Sequence, residues 1–309
     1  MLHDCLIMYQ EIFAQSGLSL DRLRTFCMVA QAGGVTKAAG GDANRQSQFS
    51  RQIKELEEFF GVDLFAKHGR GVSLTASGRS LALIGHLTLQ GLTDFTVSCR
   101  DKPVEISIGA GDSLLHWVVV PALEKMRAEF PNVNFVFKNS RTREIVEALQ
   151  TGLLDFGVIQ SDAVPKSLVH TRMGSLVFRL FVPKRLLAPK RPKTTTNFTN
   201  LPLAGLEGDG AYSKFIEEFC DSHQGQYGVA LKCSSFPLIT QAIQDGSCAA
   251  ILPTKARSHL SEKDFIEIDL PDFKAMERSM SVAWNKRNAD IRIQVAEMNK
   301  KLPRLLVFS

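Results

Sequence analysis

One face of a predicted helix carries short hydrogen-bonding side chains and two cations. An apolar stripe marks the helix between residues 49 and 60, and Ser47, Ser50, Arg51 and Lys54 fall on the opposite side at about 100° per residue. Such side chains reach the base edges and phosphates of nucleic acids. Periodicity alone leaves a plain surface helix as the alternative. The stripe consists of Phe49, Ile53, Leu56 and Phe60.

A basic hairpin is predicted directly after this helix. Two short apolar segments, at residues 64–65 and 72–74, bracket a glycine-bearing turn that carries Lys67, His68 and Arg70. Upstream, an amphipathic helix stops at Gly33-Gly34, and a short helix of residues 35 to 39 ends at Gly40-Gly41-Asp42. Three helices followed by a basic hairpin predict a winged helix-turn-helix, whose third helix and wing would meet DNA.

A long helix is predicted next, from residue 76 to about residue 99, with Thr75 as its N-cap. Its apolar residues spread over more than one face, so the helix needs partners on two sides. It would pack on the winged unit and on its twin in a second subunit. Burial within one domain is the alternative that the pattern leaves open.

Beyond Lys102-Pro103 the pattern changes to short strands that alternate with helices, which predicts two α/β lobes with a cleft between them. The last strand, near residues 280–284, is expected to return the chain to the first lobe. Ligands of such folds bind at the carboxyl ends of strands, near helix N-termini. The candidate ligand-binding residues are Gly111, Asp112, Ser113, Ser140, Arg141, Gln160, Ser235 and Phe236.

The charges among these candidates point in two directions. Arg141 favours an anionic ligand, because a fixed cation beside helix N-termini attracts a carboxylate or a phosphate. Asp112 argues against an anion. Ser113 and Ser140 also have a structural alternative, since either could simply cap a helix.

Composition and motifs exclude several classes of protein. The 309 residues suggest about two domains, and the net charge of +5 allows a polyanionic partner without requiring one. Six scattered cysteines without a CxxC pair predict reduced thiols, no metal and a cytoplasmic protein. No stretch is long enough to span a membrane, and no motif of an enzyme or of cofactor binding is present. The basic residues near 184–193 are interpreted as a solvated loop (Lys184, Arg185, Lys190, Arg191 and Lys193).

From about Leu18 onwards, the chain resembles the signature of the LysR-type transcriptional regulators. The resemblance rests on linked motifs in the family's order and spacing, and it continues less specifically to near the C-terminus. The motifs are Leu23-Arg24-Thr25-Phe26, Thr36-Lys37-Ala38-Ala39, Phe49-Ser50-Arg51-Gln52-Ile53-Lys54-Glu55-Leu56-Glu57, Gly61-Val62-Asp63-Leu64-Phe65 and Leu74-Thr75-Ala76-Ser77-Gly78.

This resemblance implies a homodimer or homotetramer that binds double-stranded promoter DNA and responds to a small-molecule effector held by a domain similar to periplasmic solute-binding proteins. The implied units are a winged helix-turn-helix at 18–75, a linker helix at 76–102 and an effector domain at 103–309, whose subdomains are about 103–175 plus 275–309, and 176–274. The residues expected to contact DNA are Arg45, Gln46, Ser47, Ser50, Arg51, Lys54, Lys67, His68 and Arg70.

The chain departs from the family at Gly40-Gly41-Asp42. Each glycine inside a helix costs about 1 kcal/mol, so the second helix is expected to be short or loose. One alternative is therefore a ligand-binding protein with an impaired DNA-binding domain. Another is a redox-responsive regulator that uses Cys220 and Cys233, although Ala211 stands roughly where such a sensor has its reactive cysteine.

Overall fold

The structure is a computed structural model that describes residues 10–68, 71–187 and 198–306. Its N-terminal part contains four helices and a two-stranded antiparallel hairpin in which Phe65 pairs with Leu74 and Lys67 with Val72. The predicted helices and wing strands are confirmed. The elements are α1 (Gln10–Phe13), α2 (Leu20–Ala32), α3 (Val35–Ala39), α4 (Ala43–Phe60), β1 (Phe65–His68) and β2 (Gly71–Leu74).

The segment between α3 and α4 differs from the sequence expectation. Gly40 ends α3 with a left-handed φ of 63°, and Gly41 follows at 87°, so both glycines lie outside the helices. A left-handed residue that ends a helix favours glycine, and the expected cost of a helix-interior glycine does not apply. Asp42 is the N-cap of α4, where its carboxylate accepts hydrogen bonds from the backbone N of Asn44 (2.8 Å) and Arg45 (3.1 Å).

Helix α5 (Ala76–Ser98) follows the hairpin and packs on this small unit through Leu81, Ala82 and Leu89, with two glycines at the closest contacts. The Thr75 hydroxyl accepts from the Gly78 backbone N at 2.9 Å, which confirms the predicted cap. A Cβ atom at Gly78 would lie 2.1 Å from the Leu64 carbonyl oxygen, and one at Gly85 would lie 2.7 Å from Cys27 Sγ. Elsewhere on α5, Ile84, Leu92 and Phe95 are exposed by 48%, 48% and 68%.

The C-terminal part contains two five-stranded mixed sheets, which define a first and a second lobe. The strand orders are β4-β3-β5-β12-β6 in the first lobe and β11-β7-β10-β8-β9 in the second. The last strand pairs antiparallel with β5 and β6, so the predicted return to the first lobe is confirmed. The strands are β3 (Val104–Ala110), β4 (Val133–Asn139), β5 (Phe156–Gln160), β6 (Val169–Leu176), β7 (Phe178–Pro183), β8 (Leu201–Leu206), β9 (Tyr227–Cys233), β10 (Ala249–Pro253), β11 (Phe265–Ile268) and β12 (Arg278–Trp284).

Helices connect and cover these strands. The helical segment after β3 is broken into α6 (Asp112–Leu114), a π-helical turn (Leu115–Val119), a 3₁₀ turn (Val120–Ala122) and α7 (Leu123–Glu129), because Pro121 cannot donate to the helical ladder. The others are α8 (Thr142–Thr151), α9 (Ala211–Ser222), α10 (Phe236–Ala242), α11 (Lys286–Ile291) and α12 (Ile293–Leu305).

A buried charged cluster joins α5 to the first lobe. Arg292, between α11 and α12, is 4% exposed; its Nε donates to Asp94 Oδ2 at 2.5 Å and its Nη1 to Asp155 Oδ1. Asp155 also accepts from the backbone N and hydroxyl of Ser107, both at 2.8 Å, and from Asn288 Nδ2 at 2.9 Å. One guanidinium therefore holds the end of α5 against the strands of the first lobe.

Candidate nucleic-acid interface and ligand cavity

The polar face of α4 lies open to solvent. Phe49, Ile53 and Leu56 of the predicted stripe are buried at 7% exposure or less, whereas Phe60 is 40% exposed because it stands at the end of the helix. Exposed polar residues of α4 outside this stripe form a surface that is called the basic face below. It consists of Arg45, Gln46, Ser47, Ser50, Arg51 and Lys54, all of them exposed.

The cations of the basic face have weak partners. Arg51 Nε lies 3.6 Å from Glu55 Oε1, and Lys54 Nζ lies 3.7 Å from Glu58 Oε1. The Arg45 guanidinium lies 5.5 Å from the centre of the Phe49 ring. Exposed ion pairs of this kind contribute about 0 to 1 kcal/mol, so phosphate groups can replace these carboxylates at little cost.

The hairpin is fixed to α4 by a residue that sequence reasoning did not single out. Glu57 Oε1 accepts from the backbone N of Leu64 at 2.9 Å and of Phe65 at 3.3 Å, and the Thr75 hydroxyl donates to the Asp63 carbonyl at 2.7 Å. Of the predicted wing contacts, Lys67 is exposed on β1, His68 ends that strand, and Arg70 lies outside the described residues.

A cavity of about 740 Å³ lies between the two lobes. It brings together seven of the eight residues predicted to bind a ligand: Gly111, Asp112, Ser113, Ser140, Arg141, Gln160 and Phe236. Ser235 is absent from the lining and instead caps α10, where its hydroxyl accepts from the Leu238 backbone N at 3.4 Å; its neighbour Ser234 lines the cavity. The volume is typical of sites for small organic molecules.

Two helices begin at this cavity, and their N-cap residues are not the serines for which capping was the alternative interpretation. Gly111 is the N-cap of α6 and Arg141 that of α8, so neither Ser113 nor Ser140 caps a helix. An arginine side chain has no acceptor, and the cap is completed from inside the helix, where Glu144 Oε2 accepts from the Arg141 backbone N at 3.0 Å.

The lining also contains residues that were not predicted from the sequence, among them Lys255 and Trp117. Lys255 follows β10, at the carboxyl end of a strand of the second lobe, and burial lowers its pKa. Trp117 lies in the π-helical turn after β3 and stacks on Phe236 of the second lobe, with ring centres 6.4 Å apart and planes at 30°. Its Nε1 is buried and has no hydrogen-bond partner within the described part of the chain. Lys255 could have been predicted from the sequence, because it lies at the carboxyl end of a strand, where ligands of such folds bind.

A second cavity, of about 240 Å³, lies where the winged unit, α5 and α8 meet, and it is called the junction cavity here. Ala30 and Gln31 of α2, His86 of α5 and Glu147 of α8 contribute to its wall. Burial lowers the pKa of His86, and its Nε2 has no hydrogen-bond partner among the residues that the structure describes. Glu144 lines both the ligand cavity and the junction cavity.

The remaining sequence-level candidates are placed as follows. Lys184 donates to the carbonyl oxygens of Glu262 (2.6 Å) and Lys263 (2.8 Å), and Arg185 is exposed to solvent. Lys190, Arg191 and Lys193 lie outside the described residues. Burial raises the pKa of the Cys220 and Cys233 thiols.

Within residues 10–68, 71–187 and 198–306, no helix is long and apolar enough to cross a membrane, and no group of three metal-ligating side chains is found.

Comparisons with known proteins agree with both units. The family model described as "Bacterial regulatory helix-turn-helix protein, lysR family" matches residues 20–79, and the "LysR substrate binding domain" model matches residues 103–294. The regulator PecT of Dickeya dadantii is 30% identical over 158 residues, which are 50% of this chain and 50% of PecT. The chain thus spans about half the length of that relative.

Solved structures show the same fold. A full-length OxyR variant from Pseudomonas aeruginosa superposes with a TM-score of 0.62 at 17% identity, over 94% of this chain and 96% of OxyR. Full-length CbnR, solved in complex with its target DNA, gives a TM-score of 0.50 at 18% identity, over 92% of this chain and 99% of CbnR. With a winged helix-turn-helix followed by a two-lobed α/β domain, and with family models matched to both, the chain belongs to the LysR family of bacterial helix-turn-helix regulators.

Proposed function

We propose that this chain is a promoter-binding transcriptional regulator whose affinity for DNA is modulated by a small-molecule effector in the cavity between the lobes. The observation that carries the proposal is the basic face of α4, where six polar side chains are exposed directly before a basic hairpin. CbnR, which has the same fold, was solved in complex with its target DNA. We further propose that the chain acts in the cytoplasm as a homodimer or homotetramer and is not an enzyme.

The residues proposed to contact DNA are Arg45, Gln46, Ser47, Ser50, Arg51, Lys54, Lys67, His68 and Arg70. The division into a winged unit (18–75), a linker helix (76–102) and an effector domain (103–309) is likewise part of the proposal. The fold supports this division, because the residues before β3 build one small helical core and the residues from β3 onwards build two sheets.

The two alternatives are less well supported. An impaired DNA-binding domain was suggested by Gly40-Gly41-Asp42, but these residues end one helix and cap the next. A redox function through Cys220 and Cys233 requires a thiolate, and burial raises the pKa of both thiols, which disfavours the thiolate.

The test is a mobility shift of the DNA upstream of the protein's own coding region, at two salt concentrations. The wild-type protein should retard this DNA more strongly at low salt, because each phosphate contact releases counterions. Arg51→Ala and Lys54→Ala should each weaken binding about tenfold. Arg127→Ala and Lys125→Ala, which remove matched charges from α7 in the first lobe, are the controls and should leave binding unchanged. Equal retardation by all four variants would contradict the proposal.

A further inference from the structure

The ligand cavity presents one cation from each lobe. Arg141 stands at the start of α8 in the first lobe, and Lys255 follows β10 in the second. Arg141 is exposed, whereas Lys255 is half-buried, so Lys255 is the cation less screened by water. Because the two belong to different sheets, a ligand that touches both bridges the lobes.

Two longer helices add positive potential at the same place. Helix α8, of 10 residues, begins at Arg141, and α9, of 12 residues, begins at Gly210; both N-caps belong to the lining and neither provides a side-chain acceptor for the free backbone N–H groups. The cavity also contains two carboxylates. Asp112 and Glu144 are both exposed, so water screens the charge of both carboxylates. Glu144 also accepts the hydrogen bond from the Arg141 backbone N.

The rest of the wall is apolar and aromatic. Trp117 and Phe236 stack across the lobe boundary, and Leu114, Val118 and Met280 extend this surface. The Trp117 ring also carries the buried Nε1 that has no partner among the described residues. An effector with an oxygen acceptor beside an apolar body therefore complements the wall better than a sugar or a simple inorganic ion does.

We infer that Lys255 anchors an anionic group of the effector from the second lobe, opposite Arg141, and that the effector is a small organic carboxylate with an apolar body. This inference rests on the proposed regulatory function and specifies the chemistry of its ligand. It also makes Lys255 the residue through which the charge of the effector acts on the position of the second lobe.

The test uses the full-length protein and calorimetric titration with three sodium carboxylates, namely benzoate, phenylacetate and hexanoate. Benzamide serves as the neutral analogue, benzylamine as the cation and phenylalanine as the zwitterion. At least one carboxylate should bind and raise the melting temperature, and it should bind at least about tenfold more tightly than benzamide.

Variants identify the anchoring residue. Lys255→Met should weaken binding of the best carboxylate about tenfold, and Lys255→Arg should keep most of the affinity. Lys232→Met, at an exposed lysine of β9 outside the cavity, is the matched control and should bind as the wild-type protein does. Circular dichroism on each variant excludes loss of folding as the cause.

Three results would overturn the inference. Unchanged carboxylate affinity in a folded Lys255→Met variant would show that Lys255 is not the anchor. Tighter binding of benzylamine or phenylalanine would show that Asp112 sets the charge of the ligand. Failure of all three carboxylates at millimolar concentration would reject this ligand class. DNA retardation on the same preparation separates these results from failure of the regulatory function, because a chain that binds DNA but no carboxylate loses only the inference.

Discussion

At the scale of single residues, neighbouring acids of α4 have opposite roles. Glu57 points towards the hairpin and accepts from two backbone N–H groups, at Leu64 and Phe65. Glu58 lies on the surface and pairs with Lys54 at 3.7 Å. The first carboxylate fixes the wing to the helix, whereas the second only shields a cation.

We therefore expect Glu57→Ala to lower the free energy of unfolding by about 1 to 3 kcal/mol, because two backbone donors lose their acceptor. Urea denaturation followed by circular dichroism measures this change. Glu58→Ala is the control and should change stability by less than about 0.5 kcal/mol. Equal destabilisation by both substitutions would refute the role assigned to Glu57.

At the scale of elements, two glycines allow α5 to approach the winged unit closely. Gly78 lies against the Leu64 carbonyl, and Gly85 lies against Cys27 and Leu23 of α2. Burial raises the pKa of Cys27 to about 12, so this thiol acts as an apolar packing group. Close backbone contact, rather than helix propensity, explains these glycines.

Two glycine-to-alanine substitutions on α5 should have opposite effects. In Gly78→Ala the new methyl group would meet the Leu64 carbonyl oxygen at 2.1 Å, so the melting temperature should fall although alanine is the better helix former. In Gly91→Ala the nearest atom is Ile291 Cγ2 at 3.5 Å, an ordinary contact, and stability should rise by up to about 1 kcal/mol. Thermal denaturation compares the two, and a stabilised Gly78→Ala would contradict the packing described.

The elements that were predicted correctly are those whose pattern is local. The stripe in α4 and the turn chemistry around β1 and β2 depend on residues close in sequence. Strands β6 and β11 have no clear local pattern, because the first half of β6 is exposed throughout and β11 is buried only at its two end residues. Glu57 and Arg292 could not be found either, since their partners are set by tertiary packing; Arg292 and Asp94 are 198 positions apart.

At the scale of the whole molecule, the cluster around Arg292 connects α5 to the first lobe. A single guanidinium lies between the carboxylates of Asp94 and Asp155, with little access to water. Removing one member of a buried ion pair leaves an uncompensated charge, which costs more than the intact pair contributes.

Arg292→Met should accordingly lower the free energy of unfolding by about 3 to 5 kcal/mol, because two buried carboxylates lose their cation. Adding Asp94→Asn should recover part of the loss by removing one of those charges. Chemical denaturation provides the measurement, with Arg287→Met at an exposed site of α11 as the control. A double variant no more stable than Arg292→Met would argue against charge as the cause.

The junction cavity should make stability depend on pH. Burial lowers the pKa of His86 from 6.5, so below about pH 6.5 the unfolded chain takes up a proton that the folded chain resists. The free energy of unfolding should thus fall as the pH drops from 6.5 towards the lowered value, and it should be unaffected by His86 above that range. Glu144 and Glu147 of α8 are the other titratable residues that line this cavity.

The measurement is the melting temperature of wild type and His86→Gln between pH 5 and pH 8, a range set about the ordinary histidine pKa. The variant should lose less stability at the acid end. His116→Gln, at an exposed histidine, should follow the wild-type curve. Parallel curves for wild type and His86→Gln would disprove the assignment.

Helix α8 begins at the ligand cavity and runs to the junction cavity, and Glu144 borders both. This arrangement determines what a genetic screen for ligand-independent variants would recover. Substitutions at Thr142 affect the ligand cavity, substitutions at Glu147 affect the junction cavity, and substitutions at Glu144 affect both at once. Phenotypes at position 144 can be assigned to one cavity only by comparison with those at positions 142 and 147.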